Sequence, residues 1–200
     1  MSIRTLLTTV IVLLCGCTSA PVRYHTLLSP VSPPHAVQAA PYDIDVFAPG
    51  VPSQLDGQQV VVRLGQSGMA IRENERWLNP LGEELQRALS AGMSAQLGAQ
   101  DVDGLAREPS RPVVLIQLQL RRFDSWPGHA LSLEADWRLA VKGNGQRGVL
   151  LCQSSLTRAL TGQDDMYAAW QTQVAQLAGQ IASTLSQWAA SGYQHAVCPR

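Results

Sequence analysis

One stretch in the second half of the chain decides the fold, because its apolar and polar residues alternate strictly. It reads Leu131-Ser132-Leu133-Glu134-Ala135-Asp136-Trp137-Arg138-Leu139-Ala140-Val141. Successive side chains of a strand point to opposite faces, so a period of two held over residues 131–141 predicts a strand with one buried face. A sheet that is apolar on one face needs a second layer of structure to cover that face.

Further strands are predicted on both sides of this stretch. Apolar residues alternate with Gln and Arg in the preceding segment, and Gly143-Asn144-Gly145 predicts a turn into a returning strand. Two short strands closer to the N-terminus flank Gly65-Gln66-Ser67-Gly68, which is typical of a hairpin turn. The predicted strands cover residues 43–46, 58–64, 69–72, 114–120 and 149–158.

Two apolar stripes with helical spacing predict the covering layer. The first stripe is Leu81, Leu85, Leu89, Met93 and Leu97, in a helix that ends near Gly98. The second belongs to a helix from about Gln163 to Ala190 and is Met166, Trp170, Val174, Leu177, Ile181, Leu185 and Trp188. Together the patterns predict an α+β fold, a two-layer sandwich of a mostly antiparallel sheet with two main helices packed on one face.

The residues around the helix starts predict how each helix begins. Asn79 is a good capping residue, and Pro80 after it suits the first helical position. We expect Asp164 and Asp165 to lie in the first turn of the second helix, where the positive end of the helix dipole favours acids.

The first sixteen residues are predicted to be a lipoprotein signal peptide. Arg4 is the only charged residue before position 23, and an apolar run from Leu6 to Leu14 follows it. At about 1.5 Å per residue this run covers about half of a ~30 Å hydrocarbon core, which is too short for a permanent transmembrane helix. The run ends in Leu14-Cys15-Gly16-Cys17, which resembles the bacterial lipobox with Cys17 as the lipidated residue. The chemistry needs a thiol for the thioether and small residues before it for the peptidase.

Two other interpretations of this leader stay open. It could be an ordinary signal peptide with two incidental cysteines, or Cys15 could be the lipidated residue. Cys15 fits less well because Leu14 stands immediately before it, where a small residue is needed. The lipobox resemblance implies two or three acyl chains, palmitate among them, which anchor a protein stably where one chain is marginal. In bacterial lipoproteins an aspartate after the cysteine favours the inner membrane, so Thr18 favours the outer membrane.

Proline-rich composition separates the anchor from the predicted body. Residues 17–41 contain five prolines and are predicted to form a lipid-anchored tether, in which Arg23–Leu27 is a candidate first strand. Residues 42–200 are predicted to form a single α/β periplasmic domain.

Composition and motifs give no sign of an enzyme or a nucleic-acid binder. The 15 basic and 15 acidic residues cancel, whereas nucleic-acid binding usually requires a basic excess. Gly143–Gly148 matches a dinucleotide-binding pattern in letters, but a strand follows it where the motif requires a helix. The four histidines lack the spacing of metal ligands. We therefore predict no catalytic, metal-binding or cofactor-binding residue, and no cofactor other than the covalent lipid on Cys17.

Cys152 and Cys198 are expected to meet in an oxidising compartment and form a disulfide. The closed loop would span 198 − 152 = 46 residues, which the loop-entropy model equates with about 4 kcal/mol of stability. Two free thiols are the alternative, because the backbone geometry decides whether the bridge can form.

The order of features along the chain resembles the ABC-type transport auxiliary lipoprotein family. After the lipobox, Tyr24-His25-Thr26-Leu27 matches a Tyr-x-Leu-like segment, and Trp77-Leu78-Asn79-Pro80-Leu81 matches a Trp-x-x-Pro-Leu motif. A long strand with Phe123, a strand with Trp137 and a C-terminal helix follow in the family's order. The cysteine pair 152 and 198 departs from the family's pattern, which favours a local staple over a functional role.

The resemblance implies a non-enzymatic outer-membrane lipoprotein that faces the periplasm. Its implied partners are an MCE-domain protein and an ABC-type or related inner-membrane module that moves lipids between membranes and supports envelope integrity. A homo-oligomeric ring is also implied. A structural or assembly lipoprotein of the outer membrane, unrelated to transport, is the alternative.

Two places in the sequence are candidates for the contact with the partner. Trp77 and Leu78 precede the first helix, and Trp126 lies in the turn Trp126-Pro127-Gly128. For the first pair the alternative is a hydrophobic staple that packs on the helix. For Trp126 the alternative is a plain turn.

Overall fold

The computed structural model describes residues 20–30, 38–162 and 165–199, and these form seven strands and two helices. The predicted signal peptide, Cys17 and Asp164 lie outside the described residues. In chain order the elements are β1 (Arg23–His25), β2 (Asp43–Val46), β3 (Gln59–Arg63), β4 (Met69–Trp77), α1 (Leu81–Leu97), β5 (Val113–Trp126), β6 (Ala130–Gly143), β7 (Gln146–Ala159) and α2 (Met166–Ala190).

The larger sheet has the strand order β2-β5-β6-β7. β2 runs parallel to β5, and the remaining neighbours are antiparallel. The alternating stretch forms most of β6, and its odd-numbered side chains from Leu131 to Val141 are all buried. The predicted meander and its period of two are therefore confirmed, with Trp137 placed between Leu118 of β5 and Cys152 of β7.

A bulge in β5 changes which residues of that strand face the core. The pairing with β6 shifts by one residue between Leu120 and Arg122. Before the bulge the even-numbered side chains point inward, and after it Phe123 and Ser125 do so. An extra residue in one strand reverses the faces of everything that follows, which places Phe123 in the core.

The remaining strands form a second, smaller sheet with the order β1-β4-β3. The α+β class is confirmed, but the strands divide into two mixed sheets instead of one. β1 pairs with β4 in parallel, with His25 opposite Trp77, and β3 pairs with β4 as the predicted hairpin. β4 is longer than the sequence indicates because, beyond an irregularity in its pairing with β3, it continues alongside β1 to Trp77.

The two helices pack against each other and against the inner face of the larger sheet, as predicted. Leu85, Leu89 and Met93 of α1 are fully buried, and so are the apolar residues along the stripe of α2. The helices approach closely at Gly92, where an added Cβ would lie 3.0 Å from the Cβ of Ala178.

Both helix starts differ from the expectation. Pro80, not Asn79, is the N-cap of α1, and it makes no side-chain capping bond. Asn79 instead donates from its backbone N and its Nδ2 to Glu84 Oε1, which fixes it at the residue before the cap. Asp165 is the N-cap of α2 and lies before the first turn, where its carboxylate accepts from the backbone N–H groups of Tyr167 and Ala168.

Candidate functional site

The chain that comes from the predicted anchor enters the fold at β1, and a buried carboxylate holds it there. Glu75 lies on β4 with its side chain only 5% exposed. Its Oε2 accepts a hydrogen bond from His25 Nε2 at 2.5 Å, and its Oε1 pairs with the Arg23 guanidinium. The two partners are both on β1, so a single side chain of β4 ties down two of the three residues of the strand.

The ionisation of Glu75 follows from these contacts. Burial alone would raise the pKa of Glu75, but the hydrogen bonds from His25 and Arg23, together with the charge of Arg23, lower that pKa below its ordinary value. The charged carboxylate is thus the form that the site stabilises.

A second buried carboxylate fixes the segment directly after β1. Glu84, in the first turns of α1, accepts four hydrogen bonds. Its Oε2 accepts from Thr26 Oγ1 at 2.6 Å and from the backbone N of Leu27 at 2.9 Å. Its Oε1 accepts from the backbone N and the Nδ2 of Asn79. Glu84 therefore joins the N-terminal segment, the end of β4 and the start of α1.

We call the site where Glu75 and Glu84 bind residues 23–27 the junction. A row of aromatic rings continues from the junction into the core. His25 stacks on Tyr167 with 3.3 Å between ring centroids, and Tyr167 meets Trp77 edge to face. Trp77 in turn contacts Phe123, which stacks on Trp170. Burial, together with the negative charge of Glu75, raises the pKa of Tyr167 to about 12, so its phenol stays neutral in this setting.

The candidate partner contacts do not all lie on the surface. Trp77 is 2% exposed and packs among the aromatic rings, so it is withdrawn from any partner in this conformation. The pairing of β4 with β1 turns Trp77 inward and leaves the next residue outward. Leu78 is 53% exposed. Trp126 is partly exposed at the end of β5, with its ring 4.3 Å from that of His129.

The C-terminal tail is fastened to the last strand of the larger sheet. Cys152 of β7 and Cys198 of the tail form a disulfide, with 5.4 Å between their Cα atoms. Tyr193 of the same tail packs against Trp188, and Gly148 of β7 leaves room for that indole, since an added Cβ would lie 2.8 Å from its ring. The tail therefore covers part of the free edge of β7.

The outer face of the larger sheet carries an open groove. Glutamines and charged residues occupy its floor, and the exposed side chains of Leu151 and Phe47 flank it. Its volume is about 1140 Å³. Among the residues that line it are Phe47, Gln117, Gln119, Arg138, Leu151 and Pro199. This face offers polar and apolar groups to a docking partner.

The described residues lack a metal-binding cluster and a membrane-spanning helix. They contain no cluster of three or more His, Cys, Asp or Glu side chains that could hold a metal ion. Neither described helix combines the length and hydropathy needed to cross a bilayer.

Sequence reasoning missed both carboxylates of the junction. Glu75 lies in the charged run Arg72-Glu73-Asn74-Glu75-Arg76, which is typical of a solvated strand. Glu84 follows Glu83 and matches the ordinary preference for acids in a first helical turn. One signal in the sequence could have linked the two acids. Both lie close to the Trp-x-x-Pro-Leu motif at residues 77–81, with Glu75 before it and Glu84 after it.

Comparison with known proteins identifies the family. The chain belongs to the family of ABC-type transport auxiliary lipoprotein components, which it matches over residues 25–182. It is thus a transport-associated lipoprotein, its family points to a membrane-anchored location, and as an auxiliary component it has a partner within a transport system.

Solved structures share the fold. One uncharacterised protein is similar with 20% identity and a TM-score of 0.61, over 83% of this chain and 99% of that chain. A Xanthomonas campestris protein of the DUF330 family is similar with 15% identity and a TM-score of 0.53, over 86% of this chain and 96% of that chain. At these identities the likeness concerns the fold alone. A comparison with curated proteins gave no match.

Proposed function

We propose that this protein is an outer-membrane lipoprotein, anchored through Cys17 and facing the periplasm, that serves as the accessory subunit of an intermembrane lipid transport system. Its partners are an MCE-domain protein and an ABC-type or related inner-membrane module. The observation that carries the proposal is the family membership over residues 25–182. The lipobox pattern that ends at Cys17 supports the lipid anchor. Thr18, directly after it, supports the outer membrane as the location.

The physical role is to hold a rigid body at the membrane surface, where partners can bind it. Glu75 and Glu84 fasten residues 23–27 to the body, so this segment and the body move as one unit. The exposed Leu78 and the groove on the outer sheet face supply surfaces for a partner or for further copies in a ring. The protein acts by binding, without a reaction of its own, and supports envelope integrity through the transporter.

The anchor is tested with two cysteine variants of the leader. Cys17→Ser removes the proposed lipidation site, whereas Cys15→Ser leaves a small residue in the lipobox and serves as the matched control. We expect palmitate labelling in cells to be lost in the first variant and kept in the second. Loss of labelling only in Cys15→Ser would identify Cys15 as the lipidated residue, and labelling of neither wild type nor control would refute the anchor.

The transport role is tested by crosslinking in intact cells. A photo-crosslinking amino acid replaces Leu78 or Leu151, and the comparably exposed Leu105 serves as the control position. We expect an MCE-domain protein to be captured from at least one of the first two positions and not from Leu105. Capture of outer-membrane assembly proteins alone would favour the structural alternative and contradict the transport role.

A further inference from the structure

The tip of the β3–β4 hairpin is apolar, uncharged and exposed. Residues 64–71 read Leu64-Gly65-Gln66-Ser67-Gly68-Met69-Ala70-Ile71. Leu64, Met69 and Ile71 are between 46% and 69% exposed, although a folded protein normally hides neighbouring side chains of this kind. The apolar composition of the tip is therefore typical of a binding surface that becomes buried against a partner or a membrane.

The tip is held in an outward position by one arginine. The Arg63 guanidinium donates to Asp124 Oδ2 at 2.8 Å and to the carbonyl oxygen of Gln66 at 2.8 Å. The backbone N of Leu64 also donates to the carbonyl oxygen of Gly68. Because Asp124 lies two residues before Trp126, this pairing places the hairpin tip at the same end of the molecule as the β5–β6 turn. The tip is thus braced against the larger sheet and does not fold back over it.

The chain that leads to the anchor leaves the body toward this tip. β1 is parallel to β4 with Arg23 opposite Glu75, so the N-terminal end of β1 points in the direction of Met69. Six positions separate Cys17 from Arg23 (23 − 17), and six separate Met69 from Glu75 (75 − 69). Six extended residues span at most roughly 20 Å in either case. A lipid on Cys17 can therefore reach the level of the tip and extend little beyond it.

We propose that the hairpin tip, Leu64 to Ile71, is a second membrane contact that inserts into the interface of the bilayer to which the acyl chains attach. The inference rests on the proposed anchor at Cys17. The short reach of the intervening chain brings the tip to the bilayer, and Arg72, exposed at the base of the tip, lies where lipid phosphates would meet it. Trp126 at the same end has the amphipathic ring that favours such an interface.

A second contact would fix the orientation of the body. One flexible anchor lets a domain rotate freely, whereas an anchor and an apolar tip define a membrane-facing end. The turn Gly143–Gly145 and the end of α2 would then point away from the bilayer, because they lie at the opposite end of the larger sheet.

The test uses the full-length, lipidated protein reconstituted into phosphatidylethanolamine–phosphatidylglycerol vesicles. Gln66→Cys places an environment-sensitive fluorophore in the tip without removing an apolar residue, and Leu105→Cys places it in the loop whose Arg107 binds Asp45 of β2. This control position is far from the tip. Asp45 pairs with Leu115 of β5, and Leu115 lies nine positions, or about 30 Å, along that strand from Asp124, which binds the tip. We expect the tip label to shift to the blue, to be quenched by nitroxide lipids and to be several-fold less accessible to iodide than the label at position 105.

The hairpin triple variant Leu64→Ser, Met69→Ser and Ile71→Ser should return the tip label to the accessibility of the control. Its far-ultraviolet circular dichroism should match that of wild type, because all three residues are exposed. A tip label that stays open to iodide while the protein floats with the vesicles would overturn the inference and leave the anchor intact. Failure of the protein to float with the vesicles would overturn the anchor and the inference together. Protection from iodide without quenching by nitroxide lipids would mean that a second copy of the chain covers the tip, which also overturns the bilayer contact.

Discussion

Replacement of Glu84 by glutamine is the sharpest test of how the N-terminal segment is held. Glu84 is 1% exposed and its two oxygens accept four hydrogen bonds, two from Thr26 and Leu27 and two from Asn79. Glutamine has the same shape but keeps only one acceptor oxygen. Its NH₂ group must face one of the two pairs of donors, and the backbone N–H of that pair then loses its acceptor, although the Thr26 hydroxyl or the Asn79 amide can turn to accept.

The expected cost follows from the number of bonds lost. A hydrogen bond to a charged acceptor contributes about 1.5 kcal/mol or more, and a buried N–H left without an acceptor costs about as much again, so the free energy of unfolding falls by about 3 kcal/mol. Glu83 is the matched control because it precedes Glu84 in the same first turn and is exposed. Glu83→Gln removes the same charge near the positive end of the helix dipole and should cost about 0.5 kcal/mol.

Urea denaturation of the two variants and wild type measures the difference, with equal m-values showing that the unfolded states are comparable. Hydrogen exchange at the backbone N–H of Leu27 supplies the local readout, because that group donates directly to Glu84. We expect faster exchange there in Glu84→Gln and unchanged exchange in Glu83→Gln. Equal stabilities of the two variants, with Leu27 equally protected, would refute the reasoning.

Two further predictions concern the tail and the pH dependence of the junction. The double variant Cys152→Ser, Cys198→Ser should have a free energy of unfolding about 4 kcal/mol lower than wild type, since the bridge closes 46 residues. Dithiothreitol should destabilise wild type by a similar amount and leave the double variant unchanged. If dithiothreitol changed the stability of both proteins equally, the bridge would be contradicted. Glu75→Gln should destabilise the protein at neutral pH. Because the pKa of Glu75 is lower in the folded state than in the unfolded state, the stability difference between wild type and the variant should shrink as the pH falls from about 4.3 through the folded-state pKa. Urea midpoints from pH 7 to pH 3 check this, and a gap that widens in acid would refute it.

The strands and helices with long, regular patterns could be predicted from the sequence because local sterics and burial act on each of them in the same way. The alternation over 131–141 predicts β6 and the inward side of Trp137, and the stripe from Leu81 to Leu97 predicts α1. In both elements the apolar face is also the buried face, so no competing interaction disturbs the pattern.

The features that the sequence did not reveal depend on contacts between distant residues. β1 pairs with β4 across 52 positions, and that pairing exists because Glu75 binds Arg23 and His25. The bulge at Leu120 in β5 turns Phe123 inward, which a strict period of two does not foresee. Asn79 was expected to cap α1 with its side-chain oxygen, but the charged Glu84 carboxylate accepts from its backbone N and Nδ2, and the helix has Pro80 as its N-cap.

The brevity of β1 explains why its attachment relies on side chains. A parallel strand of three residues forms few backbone hydrogen bonds, so side chains supply much of its attachment. Glu75 adds two contacts to β1, Glu84 adds two to the residues after it, and Gln171 Nε2 of α2 donates to the carbonyl oxygens of Thr26 and Leu28. These partners lie on three different elements, so a pull on the N-terminal segment is distributed over β4, α1 and α2.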